Sequence, residues 1–237
     1  MKLIRIFIAV LLVTGVAQTY ARPNSGNVTE DRHLSGFHAV DVSGSFDVYI
    51  TQGSTESVKV EAPSDVIKNI LTEVKGGTLN ISTKSHFNWH SMFNNKKMVV
   101  YVTIKDVNSI ALTGSGDVYF KDGINANNLR LQLTGSGDLF GKINVKGLES
   151  NVTGSGDIKI SGHADDQKAN VTGSGDYSAR GLSTVNTIAS VGGSGDASVN
   201  VSGNLKASVT GSGDIHYTGS PKYVSKSKSG SGDISGN

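Results

Sequence analysis

Val152-Thr153-Gly154-Ser155-Gly156-Asp157-Ile158 and Val171-Thr172-Gly173-Ser174-Gly175-Asp176-Tyr177 are two copies of one pattern: a β-branched pair, a Gly-Ser-Gly-Asp core and a bulky apolar residue. The tetrapeptide recurs at Gly114, Gly135, Gly154, Gly173, Gly193, Gly211 and Gly230, in steps of 21, 19, 19, 20, 18 and 19 residues. A step held near twenty residues marks stacked units, each too small to bury its own apolar face and each laying it on its neighbour. Apolar residues alternate on both sides of the core. Leu112, Leu133, Val152, Val171, Val191 and Val209 stand two residues before the first glycine, and Val118, Leu139, Ile158, Tyr177, Ala197, Ile215 and Ile234 follow the aspartate. Phe120, Ile160, Ala179, Val199 and Tyr217 return to the same inward face, with Lys159, Ser178, Ser198 and His216 between them facing water. No apolar stripe at helical spacing runs through Leu112 to Asn237, and the β-branched bias agrees with strand.

The two glycines of each core suit a corner where a Cβ would clash or φ must be positive. A second bend is expected at Gly123, Gly147, Gly162, Gly181, Gly203 and Gly219, where spacing varies. Seven coils stacked about 4.8 Å apart give a rod of roughly 30 to 35 Å. The fold class expected is all-β: a single right-handed parallel β-helix, or β-solenoid, with coils of about 19 residues, because a hexapeptide left-handed helix would hold 18 without drift. In the last repeat Lys228 replaces the inward apolar residue, with Lys222 and Lys226 nearby, which reads as the polar end cap that an open solenoid needs.

Residues 1–21 read as a signal peptide. Lys2 and Arg5 precede an apolar run from Ile6 to Val16, too short for the roughly 20 residues that cross a bilayer, and Ala21 supplies a small residue for cleavage. Removing Lys2 and Arg5 from the 22 basic residues balances the 20 acidic ones, so the exported chain is formally neutral. With no Lys/Arg cluster along it, the sequence lacks the counterion-release attraction that nucleic acid requires, and nucleic acid is excluded as a partner. There is no cysteine, hence no disulfide and no thiol chemistry. Residues 22–34 are expected to be a flexible segment and 35–237 one solenoid domain, irregular over 35–111 with a loop at 85–97 and regular over 112–237.

In the irregular part the alternation continues through Phe37, Val40 and Val42, then Phe46, Val48 and Ile50, and later Val100, Val102 and Ile104. Ser43-Gly44-Ser45-Phe46-Asp47 is a degenerate first copy of the motif. A short helix is expected over Ser64 to Val74, with Ser64 as cap and Ile67, Ile70 and Leu71 on one face. The opening Phe-x-x-Val-x-Val-x-Gly-x-Phe-x-Val at Phe37 to Val48, the Thr-Glu-Val-x-x-Gly-x-Leu-x-Ile segment at Thr72 to Ile81 and the Gly-Ser-Gly-Asp ladder together resemble the putative auto-transporter adhesin, head GIN domain family of exported bacterial proteins. The resemblance implies a β-helix related in shape to pectin lyases, without their catalytic residues, and an adhesive role.

The recurring Asp117, Asp138, Asp157, Asp176, Asp196, Asp214 and Asp233 should form a ladder along one edge. At about 4.8 Å each neighbouring pair repels by roughly 1 kcal/mol in water and 3 to 4 at an effective dielectric of 20, so something must offset it. Turn N–H donors are the favoured answer and calcium held between coils the alternative, with one recurring aspartate per coil against the six to eight oxygens calcium wants. Thr113, Thr134, Thr153, Thr172 and Thr210 make an outward file that reads as ordinary exposed strand rather than an ice or crystal surface. The aromatic segment at His86, Phe87, Trp89, His90 and Phe93 supplies the ligand-contact candidates: exposed, it would stack on sugar or protein; folded back, it would plug the solenoid. Arg130, Arg180, Glu149, His163, Asp165, Asp166 and His216 are scattered singletons, so no catalytic constellation is expected, and no metal or other cofactor. The function expected is adhesion or scaffolding at a bacterial envelope, without enzymatic activity. The alternative is a polysaccharide-binding or polysaccharide-degrading β-helix. The partners expected are a glycan or an extracellular protein, self-association through edge strands being open, and the location is the periplasm, the outer cell surface or the medium.

Overall fold

The computed structural model describes residues 26–84 and 97–237. Its repetitive part is built from five long strand paths, β9 (Val118–Gly135), β10 (Leu139–Gly154), β11 (Ile158–Gly173), β12 (Tyr177–Gly193) and β13 (Ala197–Gly211), each nearly a full coil. Neighbouring coils pair in parallel and in register with the motif: Gly114, Gly135, Gly154, Gly173, Gly193, Gly211 and Gly230 lie one above the other. The solenoid expected from the repeat is the solenoid found. Its core is the inward set read from the sequence, with Leu133, Leu139, Val199 and Ile215 fully buried.

Three residues turn each corner. In the coil of Gly135 the amides of Ser136 and Gly137 both donate to the carbonyl oxygen of Gly114, at 2.9 and 3.1 Å, and the same pair of bonds recurs in every later coil. Gly135 has φ +122°, and a Cβ on Gly137 would lie 1.9 Å from the oxygen of Gly116. Backbone therefore stacks directly on backbone, and only glycine permits it.

The inward positions trade volume between coils. Tyr177 is the largest fully buried side chain, and its partner in the next coil is Ala197. Its hydroxyl accepts a hydrogen bond from Gln167 Nε2 at 2.7 Å, Gln167 Oε1 accepts from Thr187 at 3.1 Å, and Thr184 bonds to Thr187 and to the carbonyl of Asn200. This chain of partners satisfies the polar atoms that a tyrosine brings into an apolar core.

The N-terminal third is not laid down in chain order. Strand β2 (Ala39–Gly44) lies between β6 (Thr78–Thr83) and β8 (Ser109–Gly114), and β3 (Asp47–Gln52) lies between β7 (Val99–Ile104) and β9, all parallel. Among the parallel coils β6–β7 is thus outermost, and the earlier β2–β3 coil sits inside it. Gly44 is in register with Gly114 and has φ +144°, so the degenerate motif copy occupies a true corner. Antiparallel strands finish this end: β4 (Ser57–Pro63) on β7, β1 (Asn27–Asp31) on β4, and β5 (Ile70–Lys75) on β6.

Two expectations are corrected. The segment at 22–34 is not simply flexible, because Asn27–Asp31 pairs along β4. The helix over Ser64 to Val74 is reduced to a single 3₁₀ turn, Ile67–Asn69, with no side-chain cap. Ile67 and Ile70 are buried at the three-residue spacing of that turn, and Ile70 then enters β5, whose hairpin to β6 turns at Gly76 and Gly77, both at positive φ. The second-bend glycines do not share one place in the coil: Gly147 pairs with Asn128 and Asp166, whereas Gly162 pairs with Ile143 and Leu182.

The C-terminal end is β14 (Ile215–Gly219), β15 (Tyr223–Gly230) and β16 (Ile234–Gly236). Lys228 does stand over the inward Val209 and is exposed there; Lys226 Nζ lies 5.0 Å over the Tyr217 ring and donates to the Ile234 carbonyl. Charge thus ends the stack.

Candidate ligand groove and surface ladders

Along the coil, residues 128, 129 and 130 and their equivalents form three adjacent rows. The middle row, Leu129, Leu148, Gln167, Thr187 and Leu205, is buried, with Val224 ending it half open. The rows beside it point outward: Asn128, Gly147, Asp166, Asn186, Asn204 and Tyr223 on one side, and Arg130, Glu149, Lys168, Ile188, Lys206 and Ser225 on the other. Together they bound an open groove of about 1020 Å³ that crosses six coils. Five steps of about 4.8 Å make it roughly 24 Å long.

The flanks are chemically different. On one, carboxamides bond from coil to coil, Asn186 to Asp166 at 2.9 Å and Asn204 to Asn186 at 2.7 Å. On the other, Arg130 and Glu149 form an ion pair at 2.7 Å, and Ile188 is 46% exposed. Apolar surface flanked by amides and charges is the composition of a site for an extended amphipathic chain. Arg130, Glu149 and Asp166, apart in the sequence, are brought together on this groove. His163 instead bonds to Asp165 at 3.1 Å, and His216 to Ser235 at 2.8 Å.

The aspartate ladder is built as the repeat implied. The amide of Asp138 donates to Asp117 Oδ1 at 3.1 Å, and those of Asp157, Asp176, Asp196, Asp214 and Asp233 each donate to the aspartate before, at 2.7 to 2.8 Å. These bonds supply the offset to carboxylate repulsion that the sequence demanded. Among the described residues no three His, Asp or Glu side chains gather as a metal would require. Burial raises the Asp138 carboxyl above its ordinary range, helped by Asp117 and Asp157 and opposed by the Asp157 amide; burial and Asp117 raise Asp47 likewise, against Lys97.

Sequence reading missed a second ladder. Tyr101, Tyr49, Tyr119 and Phe140 are consecutive outward residues in four stacked coils, with ring centroids 5.6, 5.0 and 5.4 Å apart. Burial first, and then the hydrogen bond that Tyr119 donates to Asp117 Oδ2 at 2.9 Å, raise its phenol pKa well above normal. The coil order hides this file, because Tyr101 and Tyr49 are neighbours only after the N-terminal coils exchange places. The candidates His86, Phe87, Trp89, His90 and Phe93 lie outside the described residues.

Stacked parallel coils with an open lateral groove define a β-solenoid that presents surface rather than a closed pocket. The chain belongs to the putative auto-transporter adhesin, head GIN domain family, whose model matches residues 36–221. It is similar to a putative adhesin from Bacteroides fragilis (28% identity, 91% of this chain and 99% of that chain, TM-score 0.85). It is similar also to a putative lipid binding protein from Parabacteroides distasonis (26% identity, 90% and 98%, TM-score 0.72). A putative adhesin from Parabacteroides merdae, at 20% identity, 90% and 97% coverage and TM-score 0.71, shares the fold. No curated protein matches the chain. No helix among the described residues is long and apolar enough to cross a membrane.

Proposed function

We propose that this chain is an exported, non-enzymatic solenoid that adheres or scaffolds at a bacterial envelope by laying an extended polymer along the lateral groove. The observation that carries the reading is the continuity of the groove: six coils contribute equivalent positions, so binding energy accumulates along a length rather than at a point. Membership of an adhesin-named family and the leader-like residues 1–21 support export. The groove gives lytic chemistry little to work with. Arg130 is held by Glu149 on one flank, and Asp166 accepts from Asn186 along the other, whereas catalysis needs unlike groups converging on one reacting atom.

The test is a glycan and extracellular-matrix array with the purified protein beside Ile188→Asp and Trp89→Ala. A charge at Ile188 is expected to abolish binding to an extended uncharged glycan or a matrix protein seated in the groove while leaving the melting temperature unchanged. Loss in Trp89→Ala alone would move the site to the aromatic segment. Silence across the array would refute adhesion and leave a structural role in the envelope.

A further inference from the structure

The aromatic ladder ends at Phe140, and beyond it the surface turns basic. Phe140 stacks on Tyr119 on one side, and its partner in the next coil is Lys159. Phe140 and Lys159 line a depression of about 450 Å³ with Lys121, Lys142, Ser178 and Arg180, and its lining contains no carboxylate. All four cations are exposed. Lys121 Nζ rests 4.9 Å over the Tyr119 ring; among the described residues Lys142, Lys159 and Arg180 have no ion-pair partner, although elsewhere on this surface arginine and lysine find one, as Arg130 and Lys75 do.

The backbone departs from the repeat at this spot. Register between coils slips between Gly141 and Ile143, between Lys159 and Ser161, and between Ala179 and Ser183, so Lys142 and Arg180 both sit on bulges. Bulges re-aim side chains, and here they lie beside cations that the repeat already places on one face: Lys121, Lys142 and Arg180 each stand seven residues after the first glycine of a motif copy. The sequence showed no basic cluster because these four residues come from four coils.

We propose that this depression binds an acidic saccharide, a uronate or sulfated sugar. Four like charges held together without a counter-charge call for an anion; the Phe140 ring supplies the apolar face on which a pyranose stacks, and the serine hydroxyl of Ser178 supplies a partner for sugar hydroxyls. The site is separate from the groove and does not depend on it.

Affinity electrophoresis and calorimetry with polygalacturonate and dextran sulfate, against neutral dextran, inorganic sulfate, anionic vesicles and duplex DNA, test it. The expected result is retention by the two acidic polysaccharides only, weakening as salt rises from about 50 to 200 mM. The Lys142→Ala/Lys159→Ala/Arg180→Ala variant should lose at least about tenfold in affinity, and Phe140→Ala a smaller part, both with unchanged melting curves, while Ile188→Asp in the groove should retain full affinity. Equal binding to sulfate, vesicles or DNA would overturn the proposal, as would indifference to Phe140→Ala or no retention at all. Loss in Ile188→Asp instead would assign the acidic polysaccharide to the groove and overturn the depression as its site.

Discussion

Phe46 and Gly137 occupy the same place in two coils, the third position of the corner motif, and one is among the largest buried side chains while the other cannot carry a Cβ. The difference lies in what stands on the outer side. Gly137 rests on the corner of the coil before it, with the Gly116 oxygen where a methyl group would go. On the outer side of Phe46 the coil of β6 and β7 carries no copy of the tetrapeptide, and the Asp47 amide donates to the carbonyl oxygen of Met98 at 3.0 Å. Repetition demands glycine, and the end of repetition demands bulk.

Breaking that comparison gives the largest effects. Gly137→Ala should destabilise by more than about 3 kcal/mol, beyond the usual range for overpacking, because the atoms in the way are backbone of the neighbouring coil and cannot rotate aside. Thermal melting should show the loss or, at the extreme, no soluble protein; a wild-type melting curve would mean the corners are not in direct contact. Phe46→Ala should cost about 3 to 5 kcal/mol as a cavity, and should loosen the N-terminal coils first. Hydrogen exchange would show early opening of β2, β3 and β7 with β10 to β12 still protected; uniform opening would mean the whole rod melts as one unit.

The regular coils were legible because each inward residue, from Leu133 to Ile215, repeats both the alternation and the distance to a Gly-Ser-Gly-Asp core. The exchange of coil order was not, since nothing local to Val40 or Ile81 says that β2 pairs with both β6 and β8; that is decided by which pairing covers the open end. The turn at Ile67 misled because a three-residue spacing serves one 3₁₀ turn as well as a helix, and the hairpin at Gly76 and Gly77 then wins Ile70 to Val74 for the sheet. At the surface, the aspartate ladder followed from the motif alone. The groove rows stand seven, six and five residues before the next tetrapeptide, and Tyr49, Tyr119 and Phe140 five residues after the first glycine of a corner, but the residue type changes from coil to coil, so position repeats where chemistry does not.

The smallest effect expected concerns that aspartate ladder and compares its charge with its geometry. Asp138 is half-buried between Asp117 and Asp157, and its carboxyl is raised in the fold by burial first and by those neighbours second. A raised carboxyl pKa means the folded state holds its proton more tightly than the unfolded chain, so this group detracts from stability at neutral pH and the deficit disappears as pH falls through the folded value towards 3.8. Asp138→Asn keeps an oxygen to accept the Asp157 amide and removes the charge. It should therefore stabilise the fold slightly at pH 7, by less than about 1 kcal/mol once solvent screening is allowed for, read as a small rise in melting temperature, and match wild type near pH 3.5. Asp138→Ala, which leaves the Asp157 amide without its acceptor, should be less stable than wild type at pH 7, by about 0.5 to 1.5 kcal/mol. If Asn is instead destabilising at pH 7, and the loss appears only with calcium present, the charge itself is in use and the ladder is a metal site rather than a row of corner acceptors.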